Sequence, residues 1–200
     1  MKKTISIIAM ATLCLFFSAP SQAQTVASTF KPVKIGGRIP DVTITNVYNY
    51  ESKKTNLSDF KAKLIILDFW ATSCTSCLAN FTKTEELQKK YGGEVQFIKV
   101  TNQPRKEVLS FLEKLHKTDP STIPVVTNDS ALYQLFPHIN LPHYVWLDQT
   151  GKVVATTTTE QLTVENIDHF LSNDNIGNMH MKVDMNNYKS LTSSLKKTIK

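Results

Sequence analysis

The chain has 200 residues, with 23 Lys and Arg against 17 Asp and Glu, and only three cysteines. This length suits one domain with a complete hydrophobic core and some excess. Apart from Lys2 and Lys3, the excess positive charge lies in residues 182–200, and no aromatic–basic alternation or nucleotide-binding loop is present, so we expect no nucleic-acid partner.

Residues 1–23 are typical of a targeting segment. Two lysines precede an apolar stretch from Ile5 to Phe17, and Ser21–Ala23 has the small-x-small pattern of a cleavage site. The apolar stretch is short for a bilayer span, and the bulky leucine before Cys14 does not match a lipid-attachment site. We therefore expect a signal peptide over residues 1–23, which is removed from a protein exported to the periplasm.

Short elements are predicted before the central part of the chain. Val42, Ile44 and Val47 predict an N-terminal strand, residues 48–55 a polar hairpin or loop, and residues 56–60 a short helical turn.

The most informative stretch is an apolar run that leads into a Cys-x-x-Cys motif. Leu64–Trp70 reads as a strand buried on both faces, and the segment from Cys74 to Tyr91 has helical periodicity. Cys74 is therefore placed at or next to a helix N-terminus, where free N–H groups favour a thiolate. Cys77 lies one turn deeper, is less exposed, and can close a disulfide with Cys74. An exposed nucleophilic thiol beside a shielded resolving thiol is the arrangement that thiol–disulfide exchange requires.

Two other interpretations of the cysteine pair are weaker. A zinc site needs four ligands, and the sequence contains neither a second cysteine pair nor a His-x-x-x-His motif. A structural disulfide across one helical turn closes almost no loop and would stabilise the fold little. The redox interpretation is therefore favoured.

Asp68 interrupts the apolar strand just before the cysteine motif. A buried carboxylate without a partner costs on the order of several kcal/mol. Such a residue is either satisfied structurally or retained for proton transfer. We expect Asp68 to lie below Cys77 and to take its proton. On this reasoning, Asp68→Asn would slow the release of a mixed disulfide and stabilise the fold.

The rest of the chain alternates strands and helices, which predicts an α/β protein with a mixed sheet and helices on both faces. The predicted elements are a strand at 95–101, a helix at 105–116, an extended piece at 123–127, a short helix at 130–136, a strand within 139–148 that Pro142 enters, a turn at 148–151 into an antiparallel strand at 152–158, and a last helix at 163–171.

Residues 173–200 form a basic tail, within which Met185–Ile199 has the spacing of an amphipathic helix. This helix could pack on its own domain, lie on an anionic membrane surface, or begin a longer region. Membrane contact is expected only through this tail. Because no motif residue lies in it, we expect residues 179–200 to be dispensable for redox chemistry.

Together, the motifs resemble the exported TlpA/ResA-like thiol–disulfide oxidoreductases of the thioredoxin superfamily. The resemblance covers about residues 33–172 and implies a thioredoxin-like fold with an N-terminal β extension. The matching pieces are Leu67–Thr72, Cys74–Cys77, Leu141-Pro142 before Tyr144–Trp146, Pro40-Asp41, and Asn56–Phe60.

The resemblance assigns the catalytic roles. It implies that Cys74 is the nucleophile, that Cys77 is the resolving thiol, and that Asp68 is the buried proton acceptor. Lys99 either pairs with Asp68, as in some relatives, or lies at a strand edge. No cofactor and no metal are implied.

The resemblance also implies a substrate surface. Pro142 would be a cis-proline facing the dithiol, Leu141 would offer its backbone to an extended substrate, and Trp70 would belong to the same substrate-binding surface. The implied partners are proteins that contain disulfides and a membrane-embedded thiol reductase that donates electrons.

The sequence departs from the family pattern near the cysteines. Ser73 stands where Trp is frequent, so the contact surface is less apolar. Asn80 and Thr82 replace a frequent Glu and Pro, so we expect a helix without the usual kink and no second acidic group. No His lies between the cysteines, which favours a reductase or mild exchanger over a strong oxidant.

Two alternative functions share this fold. A thiol peroxidase would need Thr three residues before the reactive cysteine, and Ala71 stands there. A non-catalytic binding or copper-handling module could use Cys74, Cys77 and His143, although metal sites need convergent ligands.

Overall fold

The computed structural model describes residues 30–115 and 121–182. The predicted targeting segment and the predicted helix at 185–199 lie outside the described residues. Within the described ranges, no helix combines the length and the apolar character needed to cross a membrane.

The described part of the chain forms eight strands and five α-helices. The strands are β1 Thr43–Thr45, β2 Val47–Tyr48, β3 Lys54–Asn56, β4 Leu64–Phe69, β5 Val95–Val100, β6 Val125–Val126, β7 His143–Asp148 and β8 Val153–Thr157. The helices are α1 Thr75–Ala79, α2 Phe81–Tyr91, α3 Arg105–Leu115, α4 Ala131–Leu135 and α5 Val164–Asn173.

Six strands form one mixed sheet in the order β2-β6-β5-β4-β7-β8. The central strand β4 is parallel to β5 on one side and antiparallel to β7 on the other. All six residues of β4 are buried, as the apolar run predicts. The predicted α/β class with a central mixed sheet is confirmed.

Helices cover both faces of this sheet. On one face, Leu64 and Ile66 pack with residues of α2 and α5. On the other face, Ile65, Leu67 and Phe69 pack with residues of α4 and of the N-terminal elements. Because successive side chains of a strand alternate between faces, Asp68 points toward the same face as Ile66.

The predicted N-terminal strand is two strands in different sheets. Asn46 adopts a positive φ of 56°, which ends β1 and redirects the chain into β2. β1 pairs with β3 in a separate two-stranded sheet, whereas β2 pairs with β6 at the edge of the main sheet. The 3-10 turn Leu57–Asp59 follows at the predicted helical turn.

The cysteine helix is interrupted at Asn80, so the expectation of an unkinked helix is wrong. The Asn80 side-chain amide donates to the Ser76 carbonyl at 2.6 Å. The Asn80 backbone N–H donates to the Cys77 carbonyl instead, at 3.0 Å. The side chain thus competes with the backbone for a helical acceptor, and α1 gives way to α2 without a proline.

The chain continues to pack on the sheet after α5. Met179 is buried in the cluster that contains Trp146 and Phe170. The backbone N–H of Lys182 donates to the Thr156 carbonyl at 2.7 Å, beside edge strand β8. Packing therefore reaches residue 182, whereas the resemblance ends near residue 172.

Candidate active site

The two cysteines lie just beyond the carboxyl end of β4 and form a disulfide with a Cα–Cα distance of 5.3 Å. Cys74 is the N-cap residue of α1, and its sulfur accepts the backbone N–H of Cys77 at 3.2 Å. Cys74 is half-buried, whereas only 2% of Cys77 is exposed. One sulfur is therefore accessible and faces a helical N–H group, while the other is shielded.

Apolar side chains support the cysteine pair from below. Cys77 packs in a cluster with Trp70, Phe81 and Val108, and Cys74 lies against the same cluster. The Trp70 and Phe81 rings meet edge-to-face with their centroids 5.0 Å apart. Trp70 is completely buried and supports the cysteine pair, and its expected place on the substrate-binding surface stays a prediction.

Asp68 pairs with Lys99 across neighbouring strands. The two residues are partners in the parallel β4–β5 register, and Lys99 Nζ lies 3.4 Å from Asp68 Oδ2. Lys99 also donates to Thr84 Oγ1 at 2.6 Å and lies over the Phe81 ring at 4.2 Å. Lys99 is 1% exposed, so the pairing expected from the resemblance is confirmed and a strand-edge position is excluded.

Burial moves the pKa values of this pair in opposite directions. It raises the pKa of Asp68 above its ordinary 3.8, and the charge of Lys99 opposes that rise. It lowers the pKa of Lys99, against the opposing charges of Asp68 and Glu85. Asp68 Oδ1 has no hydrogen-bond partner among the described residues. The carboxyl group therefore keeps an acceptor atom free.

Packing connects Asp68 to the cysteines. Phe81 contacts both the Lys99 ammonium group and Trp70, and Cys77 belongs to the same cluster. Within the described chain, no hydrogen bond joins Asp68 to either cysteine. A proton from Cys77 would therefore reach Asp68 through an intervening water molecule or a local movement.

The loop before β7 borders the same cluster. We call residues 139–142 the proline loop. Its Leu141–Pro142 peptide bond is cis, which is the conformation that the resemblance implies. Leu141 is half-buried against the cluster that contains Trp70 and Cys77. The backbone N–H and C=O of Leu141 form no hydrogen bond with any residue that the structure describes.

Two histidines lie behind the proline loop, and sequence reasoning did not pair them. The His138 and His143 rings stack with centroids 4.7 Å apart and an interplanar angle of 15°. Burial is the main cause that lowers the pKa of His143 to about 2, and the charges of the nearby His138 and Lys182 lower it further. His143 is therefore neutral at physiological pH and lies in the interior, with 2% exposed.

The copper-handling alternative requires three donors in one place. Among residues 30–115 and 121–182, no group of three or more His, Cys, Asp or Glu side chains is arranged to hold a metal ion. Cys74, Cys77 and His143 therefore do not form the convergent donor set that this alternative needs.

The matching family model is Redoxin, over residues 34–171. The chain belongs to the Redoxin family. It is 30% identical over 142 residues to the thiol-disulfide oxidoreductase ResA of Geobacillus kaustophilus strain HTA426, covering 70% of this chain and 77% of that protein. It is 24% identical over 147 residues to the thioredoxin-like protein YneN of Bacillus subtilis strain 168, covering 70% and 82% of the two chains.

A solved structure supports the same fold. The thioredoxin domain of a thiol-disulfide oxidoreductase from Bacteroides vulgatus superposes with a TM-score of 0.52 at 22% identity, covering 70% of this chain and 99% of that domain. The thioredoxin-like fold is confirmed. This Redoxin-family protein is a thiol–disulfide oxidoreductase of the TlpA/ResA-like kind, as its motifs predict.

Proposed function

We propose that this Redoxin-family protein is an exported enzyme that reduces or exchanges disulfides in other proteins through Cys74 and Cys77. The asymmetry of the two sulfurs supports this proposal most directly. Cys74 is half-buried at the start of α1 and accepts a backbone N–H, whereas Cys77 is shielded. This asymmetry suits an attacking thiolate beside a resolving thiol.

The reaction begins from the reduced dithiol. The Cys74 thiolate attacks one sulfur of a substrate disulfide, and the other substrate sulfur leaves as a thiolate and takes up a proton. Cys77 then loses its proton and attacks the Cys74 sulfur, which releases the second substrate thiolate. The substrate disulfide has gained two electrons, and Cys74 and Cys77 have become a disulfide.

Asp68 is the proposed acceptor of the Cys77 proton. Its buried position, raised pKa and free Oδ1 atom all support this role. A general base placed in this way contributes a factor of about 10² to 10⁴ in rate. Lys99 donates to the carboxyl group and opposes the rise in its pKa that burial causes, while Thr84 accepts a hydrogen bond from Lys99 and holds the ammonium group in place.

The substrate surface is proposed to include Leu141 and Pro142. The unpaired backbone groups of Leu141 suit an extended substrate segment that adds to them as a short strand. The position of Leu141 on the cluster beneath Cys74 supports the same arrangement.

Export and the electron donor complete the proposal. The pattern of residues 1–23 supports removal of a signal peptide and action in the periplasm. An external dithiol must return two electrons to the enzyme after each turnover, and a membrane-embedded thiol reductase is the proposed source. The intact mass of the exported protein tests export, and a mass that still includes residues 1–23 contradicts it.

The proposed activity is tested with purified protein. The wild-type enzyme should catalyse reduction of insulin by dithiothreitol, whereas Cys74→Ser should be inactive. Equilibration against glutathione gives the potential of the Cys74–Cys77 pair, and a reductase requires a potential near or below that of the glutathione pool. A wild-type rate no faster than that of Cys74→Ser contradicts the proposal.

A further inference from the structure

The segment that follows α5 ends in direct contact with the proline loop. Lys182 Nζ donates to the Asn140 carbonyl at 2.6 Å and to the Pro142 carbonyl at 2.8 Å. These two carbonyls flank Leu141 in the sequence. One ammonium group therefore holds the loop on both sides of the residue that is proposed to meet the substrate.

Lys182 is itself fixed in place by the sheet. Its backbone N–H donates to the Thr156 carbonyl at 2.7 Å, and its carbonyl accepts the Thr156 hydroxyl at 3.2 Å. Met179, three residues earlier, is only 7% exposed within the apolar cluster. Because the backbone of Lys182 is anchored to β8, its side chain forms a stable link between β8 and the proline loop.

The link takes up two loop carbonyls and leaves the middle residue free. Within the described ranges, Leu141 N–H and C=O have no hydrogen-bond partner, although Asn140 and Pro142 on either side are bound. A loop secured at both flanks keeps its unpaired groups in one orientation, and this lowers the ordering cost when a partner strand binds.

We propose that Lys182 is a positioning residue, which holds the proline loop so that the Leu141 backbone is presented to an extended protein substrate. This inference rests on the proposed function. Lys182 acts through the loop and takes no part in electron transfer. Its loss should therefore impair protein substrates more than small disulfides that have no peptide backbone. This inference replaces the expectation from the sequence that residues 179–200 are dispensable, because Lys182 contacts the proline loop.

Three variants test this role. Lys182→Met keeps the aliphatic chain and removes the donors, Lys182→Arg keeps donors, and Lys152→Met is the control. Lys152 is exposed at the other end of β8, and its side chain forms no hydrogen bond among the described residues. Each reduced variant is mixed with insulin and, separately, with hydroxyethyl disulfide, and both second-order rate constants are measured.

Lys182→Met should lower the rate constant with insulin by about fivefold or more and change that with hydroxyethyl disulfide by less than about twofold. Lys182→Arg should recover at least half of the insulin rate, and Lys152→Met should match the wild type. Equal losses with both substrates, or no loss with insulin, would overturn the inference.

Hydrogen exchange provides a measurement that does not depend on catalysis. Backbone amides in a peptide covering residues 137–145 should exchange faster in Lys182→Met than in the wild type or in Lys152→Met. Unchanged exchange there overturns the role of Lys182. Wild-type protein that fails to reduce insulin contradicts the proposed function instead, so the two failures are distinguishable.

Discussion

A carboxyl group and an ammonium group are buried together in the sheet beneath the cysteines. Each would be costly to bury alone as a charge, and their 3.4 Å separation offsets part of that cost. Thr84 satisfies a further donor of Lys99, while Asp68 Oδ1 stays unpaired within the described chain. The pair is therefore held in place without being saturated, which suits a group that must bind and release a proton.

Asp68→Asn should remove the proposed general base while keeping the side-chain shape. Asp68 accepts a proton only when ionised, and its pKa is raised above 3.8, so wild-type resolution should accelerate as pH rises through that raised pKa. In the variant, release of the mixed disulfide should slow by about 100-fold at neutral pH and lose this pH dependence. Attack by Cys74 should change by less than about threefold. Stopped-flow measurement of both steps checks this prediction. An Asp68→Asn variant that resolves mixed disulfides at the wild-type rate across pH 6–9 would contradict it.

The Lys99 contact changes the stability expected for the same variant. The sequence alone favoured a more stable Asp68→Asn protein, but the substitution leaves the Lys99 ammonium group buried without its counter-charge. Removing one partner of a buried pair typically costs about 3 kcal/mol or more. Asp68→Asn should therefore unfold at lower denaturant concentration than the double variant Asp68→Asn/Lys99→Met. A double variant that is no more stable than the single one would show that the pair is not coupled.

Lys99→Met should move the pH dependence of resolution to higher pH. The charge of Lys99 opposes the burial that raises the pKa of Asp68, so its removal lets that pKa rise further. Loss of an opposite charge at this distance corresponds to about 1 to 3 pH units. The midpoint of the rate–pH profile measures the shift, with Lys106→Met, at an exposed position of α3, as the control. A midpoint that stays at the wild-type pH would contradict this account of the pair.

The start of α1 supports the proposal that Cys74 reacts before Cys77. Cys74 is the N-cap residue, and the Cys77 N–H donates to its sulfur, so a thiolate is stabilised at Cys74. We expect its pKa to lie below the free-cysteine value of about 8.5.

Cys77→Ser should consequently trap substrates as mixed disulfides on Cys74, because no thiol remains to resolve them. Mass spectrometry of the trapped species identifies the attached cysteine. Alkylation of the reduced wild-type protein at neutral pH should label Cys74 at least about tenfold faster than Cys77. Faster labelling of Cys77 would reverse the assignment of the two roles.

The central strand and the cysteine motif were predictable because their signals are local. An apolar run identifies a buried strand, and the spacing of Cys74 and Cys77 needs no tertiary information. The breaks at Asn46 and Asn80 were not predicted, because each depends on a backbone conformation that an asparagine permits but does not require.

The partners within the site depend on strand register, which the sequence leaves open. Lys99 could have been a partner of Asp68 or an edge residue until β5 was placed beside β4 in parallel. Thr84 enters the site from α2, and the His138–His143 stack forms only because the proline loop leads into β7. No local pattern in the sequence marks these contacts.

Across the whole molecule, the sheet brings three loops to the cysteines. The carboxyl ends of the parallel strands β4 and β5 meet the start of the antiparallel strand β7 at one edge of the sheet. The loops after β4 and β5 are joined by a hydrogen bond from Thr72 N–H to Gln103 Oε1 at 2.7 Å. The proline loop enters from the other side and is held by Lys182. The site is thus assembled from segments far apart in sequence.

The segment after α5 should contribute to global stability, although it lies beyond the end of the family resemblance. Met179 is 7% exposed and packs in the cluster with Trp146 and Phe170. Met179→Ala should lower the free energy of unfolding by about 2 to 3 kcal/mol, because it leaves a cavity in this cluster. His180→Ala, at an exposed neighbouring position, should change it by less than about 0.5 kcal/mol. Denaturant unfolding of both variants measures the difference. Equal stabilities would mean that residues 176–182 contact the domain without stabilising it. Lys182 would then be held only by its hydrogen bonds with Thr156.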